Sequence, residues 1–94
     1  MSKKISRRDE LVEYTNDEEL LFLDETHFDA AIVGVTERCG QVPTVCYDTG
    51  KIIEILMGQG MSDEEAWDYY GFNIAGAWVG ERTPTFVDTN NIYD

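Results

Sequence analysis

His27, Cys39 and Cys46 are the strongest soft-metal ligands in this 94-residue chain, and their spacing argues against a metal centre. Structural zinc sites draw on close pairs such as C-x₂-C, whereas C-x₆-C with one distant histidine leaves the ligands scattered. Two cysteines are also too few for a disulfide scaffold, so free thiols in a reducing cytosol are the simplest reading. The stretch Asp88-Thr89-Asn90-Asn91-Ile92-Tyr93-Asp94 alternates oxygen ligands like the start of a calcium loop. It lacks the turn glycine and the closing glutamate, and reads as a polar tail. Nucleophilic catalysis fares no better. Ser62 has the position of a helix cap, Ser2 and Ser6 lie in an N-terminal arm, and no Gly-x-Ser-x-Gly elbow occurs. A dyad of His27 with Cys39 or Cys46 has no supporting pattern. No catalytic residue, metal or cofactor is assigned, and a non-enzymatic protein is expected.

Two constellations remain. The first is acidic: Asp17, Glu18 and Glu19 form one cluster, and Asp63, Glu64, Glu65 and Asp68 a second. Both suit a basic protein surface, with a solvated helix face as the plainer reading. The second is the loop Gly76-Ala77-Trp78-Val79-Gly80-Glu81-Arg82-Thr83. Trp78 stacking on a base, with Arg82 and Thr83 at an anion, would make a small-ligand or nucleotide site. The loop matches neither a P-loop nor a dinucleotide fingerprint. The plainer reading puts Trp78 in the core and pairs Arg82 with a nearby carboxylate.

The elements that would position these residues follow from the apolar pattern. Leu11, Val12 and Tyr14 suggest a short helical stripe that Thr15-Asn16-Asp17 stops, within a partly disordered, flexible arm over residues 1–19, basic at first and then acidic. Leu20–Leu23 is a short apolar run compatible with a strand or a last helical turn. Residues 30–36 and 44–47 read as two strands joined through a Gly/Pro turn of four to six residues. Asp48 then caps a helix over Lys51–Met57, whose stripe is Ile52, Ile53, Leu56 and Met57, and Gly58 and Gly60 end it. Ser62-Asp63-Glu64-Glu65 is a capping box opening a second helix, with three acids at the positive end of its dipole. Ala66, Trp67, Tyr70 and Ile74 would form its inner side. Pro84-Thr85-Phe86-Val87 offers a last strand.

The fold class expected is α+β: a mostly antiparallel sheet of three or four strands with two helices packed on one face. Residues 20–94 form its single domain. The expected core is Ile32, Val33, Val35, Val45, Ile52, Ile53 and Leu56, with Trp67, Tyr70, Ile74, Trp78, Phe86 and Val87.

Charge narrows the partners. Four of the seven basic residues (Lys3, Lys4, Arg7 and Arg8) lie in the first eight positions. From residue 9 onward only Arg38, Lys51 and Arg82 oppose all nineteen carboxylates, leaving a formal charge of −16. Such a domain repels nucleic acid and anionic membranes and attracts basic surfaces. The helix pair between residues 51 and 74 is a poor DNA reader, because its second helix offers carboxylates where phosphates and base edges demand Lys, Arg or amides. No apolar segment long enough for export or membrane spanning follows the basic start, so a cytoplasmic setting is expected. Oligomeric state stays open, a homodimer included.

The order Phe28-Asp29-Ala30-Ala31-Ile32-Val33-Gly34-Val35, a Cys-Gly turn, Val45-Cys46-Tyr47-Asp48 and Ile53-Glu54-Ile55-Leu56-Met57 is distinctive. Gly60–Ala66 and Phe72-Asn73-Ile74-Ala75-Gly76-Ala77-Trp78-Val79-Gly80-Glu81-Arg82-Thr83-Pro84 continue it. This succession, over about residues 20–88, resembles a family of small uncharacterised proteins encoded by bacteriophages and some bacterial genomes. The resemblance implies a phage or prophage setting, a bacterial host cytoplasm and a compact α+β fold. It supplies no activity. The charge then suggests an accessory protein that binds a basic host or phage protein, as an inhibitor or a partial nucleic-acid mimic.

Overall fold

Ser6 opens the first helix: its hydroxyl accepts the Asp9 amide at 3.1 Å, and the chain turns helical from Arg7 to Thr15 (α1). The computed structural model describes residues 6–89. α1 ends where Asn16 adopts the left-handed conformation, φ 56°, the usual exit for a helix whose next residue is not glycine. The expected flexible arm is corrected over this stretch. Leu11 is buried in the core, and Arg8 grips the body by three routes. Its Nε donates to both Asp29 oxygens at 2.9 and 3.0 Å, its Nη2 donates to the Leu23 carbonyl at 2.6 Å, and its guanidinium lies 5.0 Å from the Phe22 ring. Two of the four N-terminal basic side chains therefore lie within the described residues, and Arg8 is a structural clamp. Leu20–Leu23 is neither strand nor helix but an irregular segment that this clamp holds, with Leu20 buried.

A 3₁₀ turn, Thr26–Ala31, leads into β1 (Ile32–Thr36), then β2 (Thr44–Asp48), α2 (Thr49–Gly58), α3 (Asp63–Tyr69), a π-helical turn (Tyr70–Ala75) and β3 (Thr85–Val87). The connection between β1 and β2 has seven residues, one beyond the expected range. The fold is α+β, and its sheet has three strands in the order β1-β2-β3. Pairing is mixed, which corrects the mostly antiparallel expectation. β1 and β2 are antiparallel, whereas β2 and β3 are parallel because two helices carry the chain back before β3 begins.

The register sorts side chains onto two faces. Val45 and Tyr47 of β2 are fully buried, joined by Ile32 of β1, with Val35 and Phe86 packed against the cluster. Asp48 caps α2, its carboxylate accepting the Gly50 amide at 2.9 Å, and α2 adds Ile52, Ile53 and Leu56 to the same core. The capping box forms in both directions: Ser62 Oγ accepts the Glu65 amide at 3.1 Å and Glu65 Oε1 accepts the Ser62 amide at 2.9 Å. A row of aromatic contacts then ties the surface to the core. Trp67 meets Tyr70 edge-on at 5.9 Å, Tyr70 meets Phe86 edge-on at 5.5 Å, and Phe86 lies 6.0 Å from Tyr47.

Four expected core residues are corrected. Val33 is 50 % exposed because successive strand residues alternate faces and Ile32 takes the inner one; the register shift between Ile32 and Gly34 then brings Val35, opposite Val45, back to the core side. The carbonyl of Val33 accepts from Arg7 Nη2 at 3.3 Å. Val87 is exposed at the end of the edge strand β3. Trp67 is 44 % exposed and Trp78 77 %. α3 meets the body through the small, fully buried Ala66, which leaves Trp67 at the margin of the contact.

Candidate functional site

The two acidic clusters have different surroundings. Asp17, just past α1, accepts from Arg82 Nη1 through Oδ2 at 2.6 Å and from the Glu19 amide through Oδ1 at 2.9 Å. Glu19 lies 3.4 Å from Arg82 Nη2, and Glu18 is exposed. Arg82 thus joins the segment after α1 to the loop before β3. The expectation that Arg82 pairs with a carboxylate holds, and Asp17 is engaged rather than open to a partner. The Arg82 hydrogen bond first, and the Glu19 amide second, hold the Asp17 carboxyl below the usual carboxylate range. The same bond to Asp17 raises Arg82 above its ordinary value.

A folded-state value below the unfolded one means stability that is complete above the unfolded pKa of about 3.9 and is lost as pH falls through the folded value. Arg82→Gln is therefore expected to lower the urea midpoint by a constant amount above about pH 5, with the gap to the parent narrowing below about pH 4. A gap that stays constant through the acid range would show that the pair contributes nothing.

The second cluster is more open. Six of the seven residues of α3 are exposed, Ala66 being the buried one. Glu65 is engaged in the capping box, while Asp63, Glu64 and Asp68 face solvent. Trp67 and Tyr69 stand among them, and the turn that follows exposes Phe72 to 83 %. Acidic and aromatic side chains share one protruding helix. That arrangement was not legible from the acids alone.

The Gly76–Thr83 loop divides. The Thr83 hydroxyl accepts the Val79 amide at 2.9 Å and donates to the Gly80 carbonyl at 2.6 Å, pinning the loop. Arg82 turns away to Asp17, so the expected trio of Trp78, Arg82 and Thr83 does not assemble. Trp78 and Thr83 instead line one hollow with Arg38 from the β1–β2 connection. Cys39 is exposed and Cys46 half-buried in β2. Among the described residues, no three His, Cys, Asp or Glu side chains gather as a metal site, and no helix is long and apolar enough to cross a membrane. Residues 90–94 of the polar tail that begins at Asp88 lie outside the described residues.

No known protein family, curated protein or solved structure matches the chain. The surface itself therefore carries the functional argument. Its second feature is an apolar cleft of about 250 Å³, with Leu21, Phe22 and Leu23 on one side and Tyr69, Ile74 and Val79 on the other. Asp24 and Glu25 also line it. Sequence reasoning passed over these residues. The available signal was the apolar run Leu20–Leu23 between acidic residues, of which only Leu20 is fully buried.

Proposed function

We infer that this chain is a non-enzymatic accessory protein of a phage or prophage, and that it binds a basic protein through α3 and the turn after it. The observation that carries the reading is the mixture of exposed aromatics, Trp67 and Tyr69 on α3 and Phe72 in the turn after it, with Asp63, Glu64 and Asp68 of α3. Acids that serve solubility alone need no large apolar neighbours, whereas binding surfaces combine an aromatic anchor with a charged rim. The apolar cleft shares Tyr69 with this surface and extends it. The formal net charge of −12 supplies long-range attraction to a basic partner and keeps nucleic acid away.

Capture from a bacterial host lysate tests the reading. A specific partner with a basic surface is expected at low salt and not at about 1 M salt, where the screening length is roughly 3 Å. In a purified complex, Asp63→Asn with Glu64→Gln and Asp68→Asn should slow association at least about tenfold. Phe72→Ser should weaken affinity about thirtyfold or more, the effect of losing an anchor worth roughly 2 kcal/mol. A captured partner indifferent both to salt and to these changes would remove the reading.

A further inference from the structure

The sheet's other face carries a second site. Thr36 pairs with Thr44 across the antiparallel ladder, and Cys46 pairs with Thr85 across the parallel one. Paired residues share a face, and so do residues two apart on a strand. Thr36, Thr44 and Thr85 therefore stand together on the side away from Val45 and Tyr47, one from each strand. They floor a hollow of about 420 Å³, a volume within the roughly 300–1,000 Å³ of small-molecule sites. The wall is supplied by Trp78 and Thr83 from the loop before β3 and by Arg38 and Gln41 from the β1–β2 connection.

Hydrogen-bonding capacity identifies the ligand class. The Thr85 hydroxyl reaches the Val45 carbonyl at 3.4 Å and lies 2.8 Å from the Thr36 hydroxyl. With Thr85 donating to Val45, Thr36 donates to Thr85, and both keep lone pairs to accept with. Thr83 has likewise used its proton on Gly80. Glu37 and Glu81, also lining the hollow, accept only. The lining also offers donors: Arg38, the Gln41 side-chain amide and Thr44. Thr44 as a residue is 9 % exposed; no hydrogen bond among the described residues engages its hydroxyl, and that oxygen stays within reach of solvent. A hydroxyl with its proton uncommitted, on the floor of the hollow, can donate to a ligand.

A phosphate, which mainly accepts, leaves the threonine and carboxylate acceptors unmatched and meets a negative lining. An ammonium group only donates and must sit beside Arg38. Hydroxyl groups donate and accept, and a neutral ring bearing several of them matches both sets of groups in the lining. Such a ring also presents a face of C–H bonds to an indole, and Trp78 offers one at 77 % exposure. We propose that this hollow binds a sugar residue, with Trp78 as the stacking platform and Thr44 as a hydrogen-bonding group on its floor. This site is separate from the α3 surface and stands without the protein-binding reading.

The test uses the full chain, ¹⁵N-labelled, titrated with the methyl glycosides of glucose, galactose and N-acetylglucosamine. Inorganic phosphate and Nα-acetyl-lysine amide serve as counter-probes. At least one glycoside is expected to shift the Trp78 indole N–H and the Thr44 amide saturably, with a Kd in the range of about 1 mM, while the Trp67 indole stays in place. Trp78→Ala should abolish the shifts. Thr44→Val, which keeps the side-chain shape, should weaken binding about tenfold. Gln41→Ala, on an exposed connection, provides a further variant that leaves the core untouched and should also weaken binding. Three results each overturn the proposal: no glycoside shifting Trp78 up to about 50 mM, phosphate or the lysine probe doing so in their place, or undiminished glycoside binding in Trp78→Ala.

Discussion

Tyr47→Ala is expected to remove a large share of the folding free energy, and Tyr47→Phe to lower the midpoint by less. Tyr47 is fully buried at the centre of the middle strand, opposite Ile32 on one side and Phe86 on the other. Truncating a buried aromatic costs about 3–5 kcal/mol, lost transfer energy plus the cavity left behind. A domain of this size has about 5–15 kcal/mol in total, and the deletion removes the ring on which β1, β3 and α2 converge. The phenol has a second job. Its oxygen accepts the Leu23 amide at 3.0 Å, and burial pushes its pKa up, so it stays a neutral phenol. Tyr47→Phe leaves that amide without its acceptor, a loss of about 1–2 kcal/mol. Leu23 also lines the apolar cleft, so faster amide exchange at Leu23 should accompany the lower midpoint. Urea denaturation and hydrogen exchange read the two effects separately. Unchanged exchange at Leu23 in Tyr47→Phe would show that Arg8, holding the Leu23 carbonyl at 2.6 Å, fixes the segment alone.

What the sequence revealed were features whose causes are local. Asp48, and Ser62 with Glu65, announce their helices because a cap needs only a carboxylate or hydroxyl within three residues of an open amide. Thr15-Asn16-Asp17 stops α1 for an equally local reason, since Asn16 accepts the left-handed turn. Features set by distant partners were not legible. Asp17 lies sixty-five positions from the arginine that occupies it. The parallel pairing of β2 and β3 did have a signal that went unused: two helices between two adjacent strands form the crossover that parallel pairing requires. Large aromatics bury the most area, so Trp67 and Trp78 read as core in the sequence, yet both are exposed in the fold. The segments that departed from the hydrophobic rule, Leu21–Leu23, Trp67–Phe72 and Trp78–Val79, are those that line the cleft, the α3 surface and the Trp78 hollow. Such departures are where a binding surface is to be sought.

Gly71→Ala and Gly76→Ala should move stability in opposite directions, although one glycine lies within the π-helical turn and the other just past its end. A Cβ placed on Gly71 meets nothing within 4 Å, so alanine there stiffens the unfolded chain and favours the helix, a gain of about 0.5–1 kcal/mol. A Cβ on Gly76 falls 2.7 Å from the Gly71 carbonyl oxygen, a backbone atom that no side-chain rotation moves aside. The backbone of Gly76 is ordinary, φ −84° and ψ −4°, so the constraint is space and not conformation. Relieving the clash means opening the turn, which pulls on Ile74 in the core and on Tyr70, whose hydroxyl is bonded to Thr49 at 2.9 Å. A cost of about 1–3 kcal/mol is expected, typical of an overpacked site. Trp78 and Val79 lie two and three residues beyond Gly76, so the displacement should also reach the hollow and the cleft. Urea denaturation of both variants gives the signs, and the Trp78 indole resonance reports whether the loop has moved. Two variants of equal stability would mean that the turn is not held closed against Gly76. The glycine would then owe its place to something other than packing.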